Sequence, residues 1–529
     1  MELKRSKMAL HAIAVALLLV APDLVYAVVC HSFQHTGTFR VSHDPKVLLL
    51  IIPLGIGLIT ARPKALSFTY LAFLCLIQLG QFAHIAYFGT CASAHSVYML
   101  LYELGDVIRE SANVFWQYAY IIPVVVTPFV GIAYLIRSSE RCRLHLVGTI
   151  LLIGTICAIG TRVPNRHRGA ACCPNEIRFT INNSLKVLWG YLLVMQSNMV
   201  SIKKYIPYEV IDTGYKPDAP VTIVYIIGES MNYNHMSLFG YERDTTPNLK
   251  RLATEQTFYH TPGIAGGIVT LSSCKFMMNI VREADNSFFK CANMTNLFKF
   301  AKSRGFKTFY LSAQTEHLLT SIAGVHYIDV LITKDSNIAK ARSMQEDYLR
   351  YLLDQQTFTD RNFIVLHQWC IHSPYNDFPN IKKFSGSAEA RVDEYDSAMT
   401  YNDVMITRLF ERFNKQKRGK FYIIFASDHN ELLGEDGLYG HSHLAPKVAD
   451  IPVMIQSNDK AFMDEMRAIF KPNHFEIATV IAKLLGYEIR NPNEEPDTFY
   501  ISGAEYSGKF GYIKYRKSSK DRIVEYLLF

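Results

Sequence analysis

The 529-residue sequence predicts a two-part fold, an α-helical membrane domain of about five spans followed by an α/β domain built on a mainly parallel sheet flanked by helices. Two observations lead to this reading. Apolar residues concentrate before residue 165 and most charges follow it, in a chain that is 49% hydrophobic and 19% charged. Beyond residue 220, short apolar runs of strand character alternate with helical patterns, which is how parallel strands with crossover helices are written in sequence.

A membrane-crossing helix needs roughly 17 to 25 mostly apolar residues. Residues 8–30, 65–88 and 114–136 satisfy this, and 144–160 reach the lower limit. Residues 47–61 fall short, so a span there relies on Lys46 and Arg62 reaching opposite interfaces along their aliphatic stems. With the N-terminus inside, the inner segments hold Lys4, Arg5, Lys7, Arg62, Lys64, Arg137, Arg141 and Arg143, whereas the outer loops hold only Arg40, Lys46 and Arg109. That excess favours this orientation. Five spans then place everything after about residue 161 outside, against the local pull of Arg162, Arg166 and Arg168. A cleaved leader ending near Ala27 would put the later domain on the same side. The net charge of +8 comes largely from short basic clusters beside apolar runs and argues against a nucleic-acid partner.

The expected organisation is a transmembrane domain at 1–165, a bridge at 166–212 and an extracytoplasmic domain at 213–529. In the bridge, 182–206 reads as an amphipathic helix, lying on the membrane or packed on the soluble domain. Residues 208–220, punctuated by Gly214, Pro217 and Pro220, read as a linker. Cys91, Cys172, Cys173, Cys274, Cys291 and Cys370 fall in outer segments where disulfides persist, and Cys274 and Cys291, flanking a short loop, are expected to pair.

Strands are predicted at 221–227, 308–311, 363–366 and 421–426, and helices at 295–303, 392–413 and 475–485. Three of these strands run straight into metal-ligand residue types. VTIVYIIG leads to Glu229; NFIVL leads to His367, with His372 five residues on; FYIIFAS leads to Asp428 and His429, with His441 following in LYGHSH. Singly, a strand-end Asp caps a helix and a His completes a core hydrogen bond. Together, at the carboxyl edge of one sheet, they form an oxygen and nitrogen set suited to Zn²⁺. The segment GGIVTLSSCKFMM places Thr270 at a helix start, where backbone N–H groups favour an anion. Thr270 is then either a metal-activated nucleophile or a helix cap.

The segments GESMNYNHMSLFGYERDTTPNL, TLSSCKF, TNLFKFAKSRGFKTFYLS, LHQWCIHSPY, EYDSAMTYNDV and SDHNELLGEDGLYGHSH together resemble bacterial phosphoethanolamine transferases, lipid A modifying enzymes among them. The resemblance implies an alkaline-phosphatase/sulfatase-like catalytic domain in the periplasm, anchored in the bacterial inner membrane. It makes Glu229, Thr270, Asp428 and His429 the ligands of a primary Zn²⁺, with Thr270 as the nucleophile. His367, His372 and His441 then bind substrate phosphate or a second zinc ion, His441 also serving to protonate a leaving group. Glu103, in an outer loop, contacts the lipid headgroup. The implied donor is phosphatidylethanolamine, and the implied acceptor is lipopolysaccharide (lipid A or core), another glycan or a protein. A phosphoglycerol transferase or phosphodiesterase of the same superfamily is the alternative. Two departures stand out: Ser230 replaces the family's Thr after the first Glu, and GGIVTLSSC replaces a Thr-rich loop containing Pro-Cys. The chain also has fewer extracytoplasmic cysteines than the polymyxin-resistance members. A C/S-x-P-x-R-like motif, which a sulfatase activity requires, is absent from the sequence.

Overall fold

The computed structural model describes residues 2–33, 48–88, 92, 97, 115–116, 118–140, 144–166, 180–192, 208–216, 218–284, 295–322, 324–344, 347–379, 382–415, 419–504, 510–516 and 518–528. The chain falls into two compact units, Met1–Lys204 and Tyr205–Phe529, divided inside the segment read as a bridge.

The first unit holds helices α1 (Glu2–Phe33), α2 (Leu48–Thr60), α3 (Lys64–Phe88), α4 (Ile121–Ser138), α5 (His145–Arg166) and α6 (Thr180–Gly190). Among the described residues, Lys7–Tyr26, Lys64–Ala86 and Ile121–Ser138 are long and apolar enough to cross a membrane, and Leu50–Thr60 and His145–Thr155 are shorter apolar helices. Val15, Leu19, Leu54, Leu58, Leu74 and Phe129 meet in a common core. Leu10, Leu17, Leu76, Val130, Tyr134 and Ile150 point outward, each more than half exposed. In water so many exposed apolar side chains are unfavourable; against lipid tails they cost nothing. A Cβ on Gly148 would sit 2.1 Å from Thr60 Oγ1, so glycine is what lets α5 approach α2. Helix α6 covers the start of the expected 182–206 helix, whose residues from 193 on lie outside the described residues, as does Glu103.

In the second unit the strands are β1 (Glu209–Asp212), β2 (Val221–Gly228), β3 (Phe258–Ile264), β4 (Lys307–Ser312), β5 (Val330–Ile332), β6 (Arg361–His367), β7 (Lys420–Ser427), β8 (Leu432–Leu433), β9 (Tyr439–Gly440), β10 (Asp450–Ser457), β11 (Tyr487–Arg490), β12 (Thr498–Ala504), β13 (Phe510–Arg516) and β14 (Ser519–Leu528). Its helices are α7 (Pro247–Leu252), α8 (Thr270–Asn279), α9 (Leu297–Ser303), α10 (Ile338–Met344), α11 (Asp347–Asp354), α12 (Ala390–Asn414), α13 (Lys460–Arg467) and α14 (His474–Leu484).

The main sheet runs β3-β10-β7-β2-β6-β4-β5. Strands β7, β2, β6, β4 and β5 are parallel, and β10 lies antiparallel between β7 and β3. The four predicted strands are β7, β2, β6 and β4 of the parallel set. Strand β2 is apolar without alternation because both faces are covered: Ile223, Tyr225 and Ile227 face one core, Val224 and Ile226 the other. Strands β3, β5 and β10 were not expected; β3 is only partly apolar and β5 is three residues long. The expected linker contains β1, which pairs antiparallel with β11, far along the chain. A three-stranded antiparallel sheet, β12-β13-β14, ends the unit.

Register decides where the chemistry collects. Ile227 lies opposite His367 on one side and Ala426 on the other, and Gly228 lies opposite Ser427. The residues just past these strand ends therefore emerge side by side at the carboxyl edge.

Candidate active site and metal centre

Glu229 follows β2 directly, and Asp428 and His429 follow β7; all three are at most 1% exposed. Each offers a ligand atom within 4.8 Å of the others. Thr270 joins them from the first turn of α8. Its hydroxyl donates to Glu229 Oε2 at 3.2 Å and lies 3.4 Å from His429 Nε2. The N-cap of α8 is Val269, and Thr270 Oγ1 is engaged with Glu229 instead of capping an amide, which speaks against the helix-cap reading. Gly267 makes the tight entry to the helix: a Cβ there would stand 2.4 Å from Ser272 Oγ and 2.5 Å from Ser273 N.

The site's internal bonds leave a ligand atom on Asp428 and one on His429 beside Thr270 Oγ1 and Glu229. Asp428 Oδ1 accepts from the N–H groups of Ser230 (3.1 Å) and His429 (2.7 Å). Asp428 Oδ2 is buried without a hydrogen-bond partner among the described residues, although it lies 3.2 Å from His429 Nε2. The pair is close but does not bond, as expected of two groups aimed at a third. His429 Nδ1 donates to Asn430 O at 3.2 Å, which leaves Nε2 as the lone-pair nitrogen. Neighbouring ligands around a tetrahedral ion with bonds near 2.1 Å are about 3.4 Å apart. From His429 Nε2, the separations of 3.4 Å to Thr270 Oγ1, 3.2 Å to Asp428 Oδ2 and 3.7 Å to Glu229 Oε1 fit such an ion.

Electrostatics point the same way. Burial, and then the neighbouring Asp428, push the Glu229 carboxyl well above its usual range, and burial, then His441, push His429 well below its own. Two carboxyl groups crowded out of water call for a cation.

Glu229 is held on both oxygens. Ser230 Oγ donates to Oε1 at 2.7 Å, and Gln314 Nε2 donates to Oε2 at 2.7 Å. Ser230, which stands where the resemblance implies Thr, supplies the hydroxyl of that contact. Its backbone takes φ of 55°, a costly region for a non-glycine residue, held by the Tyr395 hydroxyl donating to Ser230 O at 2.8 Å.

The histidines divide by depth. His441 stacks on His429 with ring centroids 4.3 Å apart, and His372 stands 6.3 Å from His441. His441 Nδ1 donates to Glu431 Oε2 at 2.8 Å, while Tyr375 donates to Glu431 Oε1 at 2.5 Å. Burial alone would raise Glu431, but His441 and Tyr375 hold it below the usual range, hence ionised. His367 is fully buried; Nδ1 is 2.7 Å from the Tyr310 hydroxyl, Nε2 is unpartnered among the described residues, and burial pushes it down to about 4. The structure thus brings together Glu229, Thr270, Asp428, His429 and His441, with His372 beside them and His367 beneath. Cys274 is buried, and its expected partner Cys291 lies outside the described residues.

Gln314, Glu431 and Tyr375 were missed in the sequence. Gln314 comes two residues after β4 and was open to the strand-end rule; Glu431, two residues past His429, was hidden by more obvious neighbours.

The sequence profile of the sulfatase family matches residues 221–486, just over half of the chain. The chain belongs to the sulfatase family. This sulfatase-family chain is 28% identical over 306 residues to a Kdo(2)-lipid A phosphoethanolamine 7''-transferase from Salmonella typhimurium, covering 51% of the chain and 52% of that protein. It is 28% identical over 258 residues to a phosphoethanolamine transferase from Helicobacter pylori, covering 45% and 48%. The chain spans about half the length of the curated relatives it matches. Among solved structures it is similar to the integral membrane lipooligosaccharide phosphoethanolamine transferase A from Neisseria meningitidis, at 18% identity and a TM-score of 0.43, covering 92% of the chain and 96% of that one. The resemblance to phosphoethanolamine transferases read from the sequence is borne out at the level of the family.

Proposed function

We propose that this chain transfers phosphoethanolamine from phosphatidylethanolamine to an acceptor outside the cytoplasm, through a covalent intermediate on Thr270. The observation that carries this reading is a threonine hydroxyl at a helix N-terminus, within 3.4 Å of two residues of a buried three-ligand set. The names of the curated relatives support the transferred group. Apolar helices in the first unit suit a donor that resides in a bilayer, and the reading places the chain in the inner membrane with its second unit in the periplasm.

Glu229, Asp428, His429 and Thr270 would hold Zn²⁺, which when bound supplies positive charge that lowers the hydroxyl pKa and offsets phosphate charge. Thr270 Oγ1 attacks phosphorus; Glu229 Oε2 is the nearest acceptor for the proton that leaves it. The Oγ1–P bond forms as the bond to the diacylglycerol oxygen breaks. His441, oriented by Glu431, gives that oxygen a proton. In the second half the acceptor's nucleophilic oxygen attacks the phosphothreonine, His441 taking its proton, and the Oγ1–P bond breaks as Glu229 returns the proton to Oγ1. The N-terminal end of α8 carries the partial positive charge that offsets the charge that develops. The reading gives His367 and His372 the role of contacting substrate phosphate or a second ion, and Glu103 that of contacting the lipid headgroup. The acceptor is lipopolysaccharide, another glycan or a protein.

Incubating the full chain with phosphatidylethanolamine and no acceptor is expected to leave a phosphoethanolamine adduct on the peptide covering residues 266–275. Thr270→Ala should fold and form none; Thr270→Ser should keep some, since serine keeps the attacking oxygen. An adduct on Ser230, Ser272 or Ser273, or turnover by the alanine variant, would reject Thr270. With phosphatidylglycerol supplied as the donor instead, a glycerophosphate adduct would select the phosphoglycerol transferase reading.

A further inference from the structure

We infer that His474 is a positioning residue: its neutral imidazole ties the loop that carries the nucleophile to the strand that carries the metal ligands. The inference rests on the reading of Thr270 as nucleophile and goes beyond it, because His474 touches neither the ligand set nor Thr270.

His474 is the first residue of α14 and is completely buried. Its Nδ1 accepts the N–H of Gly266 at 3.1 Å, and its Nε2 lies 2.9 Å from Ser427 O. Accepting at Nδ1 places the ring proton on Nε2, which therefore donates to the Ser427 carbonyl. Gly266 stands four residues before Thr270, and Ser427 immediately precedes Asp428. One ring thus spans two segments that do not pair as strands.

The surroundings explain why a side chain is needed. The neighbouring loop amides bond to backbone: Ile264 N–H donates to Pro472 O (2.9 Å), Ala265 to Ala449 O (2.8 Å) and Ile268 to Ser502 O (3.0 Å). Only a side chain meets Gly266 N–H, and a Cβ on Gly266 would stand 2.7 Å from the Phe276 ring, so the loop sits hard against α8. The ring's own position is set from behind by a capping box, in which Asn473 Oδ1 accepts from Glu476 N–H and Glu476 Oε2 from Asn473 N–H, both at 2.8 Å. Burial keeps the ring neutral by pushing it down to about 4. Its two bonds act on Thr270 and Asp428 at once, and small displacements between nucleophile and reaction centre are costly in rate.

Two substitutions in the full, zinc-loaded chain test this. His474→Leu fills the space without either bond; His474→Gln offers an acceptor and a donor on one planar amide. Adduct formation on Thr270, folded fraction by thermal unfolding, zinc content and KM for phosphatidylethanolamine are measured for each. His474→Leu is expected to fold, hold wild-type zinc and lose roughly 100-fold in the rate of adduct formation, with donor KM little changed. His474→Gln should recover most of that rate. A wild-type rate in His474→Leu, or losses in both variants that merely follow folded fraction or zinc content, would overturn the inference. An adduct formed by Thr270→Ala, run alongside, would instead overturn the assignment of Thr270 and leave the His474 measurements to be judged apart.

Discussion

Glu229 receives three hydrogen bonds, from Ser230, Gln314 and Thr270, so its orientation is set before any ion or substrate arrives. Gln314 does more than fill space, since its amide also donates to Gln368 O at 2.8 Å and so ties Glu229 to the end of β6. Gln314→Ala is expected to weaken zinc binding or lower kcat by roughly 10- to 100-fold, the usual scale for a group that orients a metal ligand. Titration against a competing chelator, together with steady-state rates, checks this; unchanged values of both would mean that Ser230 and Thr270 suffice. His474 also makes stability depend on pH. Its pKa falls from the ordinary 6.5 to about 4 on folding. Between these values the unfolded chain holds a proton that the folded chain does not, so stability is greatest above 6.5 and declines as pH drops towards 4, by on the order of 3 kcal/mol. His367, pushed down to about 4 as well, adds to the slope. Urea midpoints from pH 7 to 4 should therefore fall less steeply in His474→Leu than in the wild type; equal slopes would contradict the buried neutral ring.

At the scale of elements, the most recognisable segment of the sequence turns out to be a brace. In SLFGYERDTTPNL, Arg243 pairs with Asp393 (2.6 Å) and Asp396 (2.9 Å) on α12, and the buried Asp396 also accepts from the Tyr241 hydroxyl at 2.9 Å. Asp403, further along α12, accepts from the N–H groups of Asn248 (3.0 Å) and Leu249 (2.9 Å) and so caps α7. None of these residues belongs to the ligand set. Arg243→Ala strips the buried Asp396 of its arginine and leaves it His235 and Tyr241, and about 2–3 kcal/mol of stability should go with the change, discounted for the partial exposure of the arginine. Chemical denaturation measures the loss; the remaining folded protein should keep a near wild-type kcat. A large fall in kcat with stability intact would show that the brace reaches the chemistry.

For the whole molecule, metal and fold are expected to be linked. An ion bound only by the folded state adds about 4 kcal/mol when free metal exceeds Kd a thousandfold. Stripping zinc should lower the melting temperature of the second unit's transition, and readdition should restore it; a melting temperature indifferent to chelation would remove the metal from the ligand set. How much of this was legible depended on distance along the chain. The division into apolar and charged parts, four of the parallel strands and the candidate ligand residues Glu229, Asp428 and His429 could be read locally, because a strand buried on both faces must be a continuous apolar run and the residues just past its end must emerge at the edge. Thr270 was open to two readings, since one threonine at a helix start serves equally as cap or nucleophile; its bond to Glu229, 41 residues away in sequence, is what favours the proposed nucleophile. Strands β1 and β10 and the clamp at His474 left no such mark. Strand β1 exists because β11 meets it, and His474 acquires its role from Gly266, 208 residues before it, and Ser427, 47 residues before it. Periodicity and strand ends are properties of neighbouring residues, and a single sequence carries them. Which distant amide finds which imidazole is decided only when the sheet, the helices and the loop close on one another.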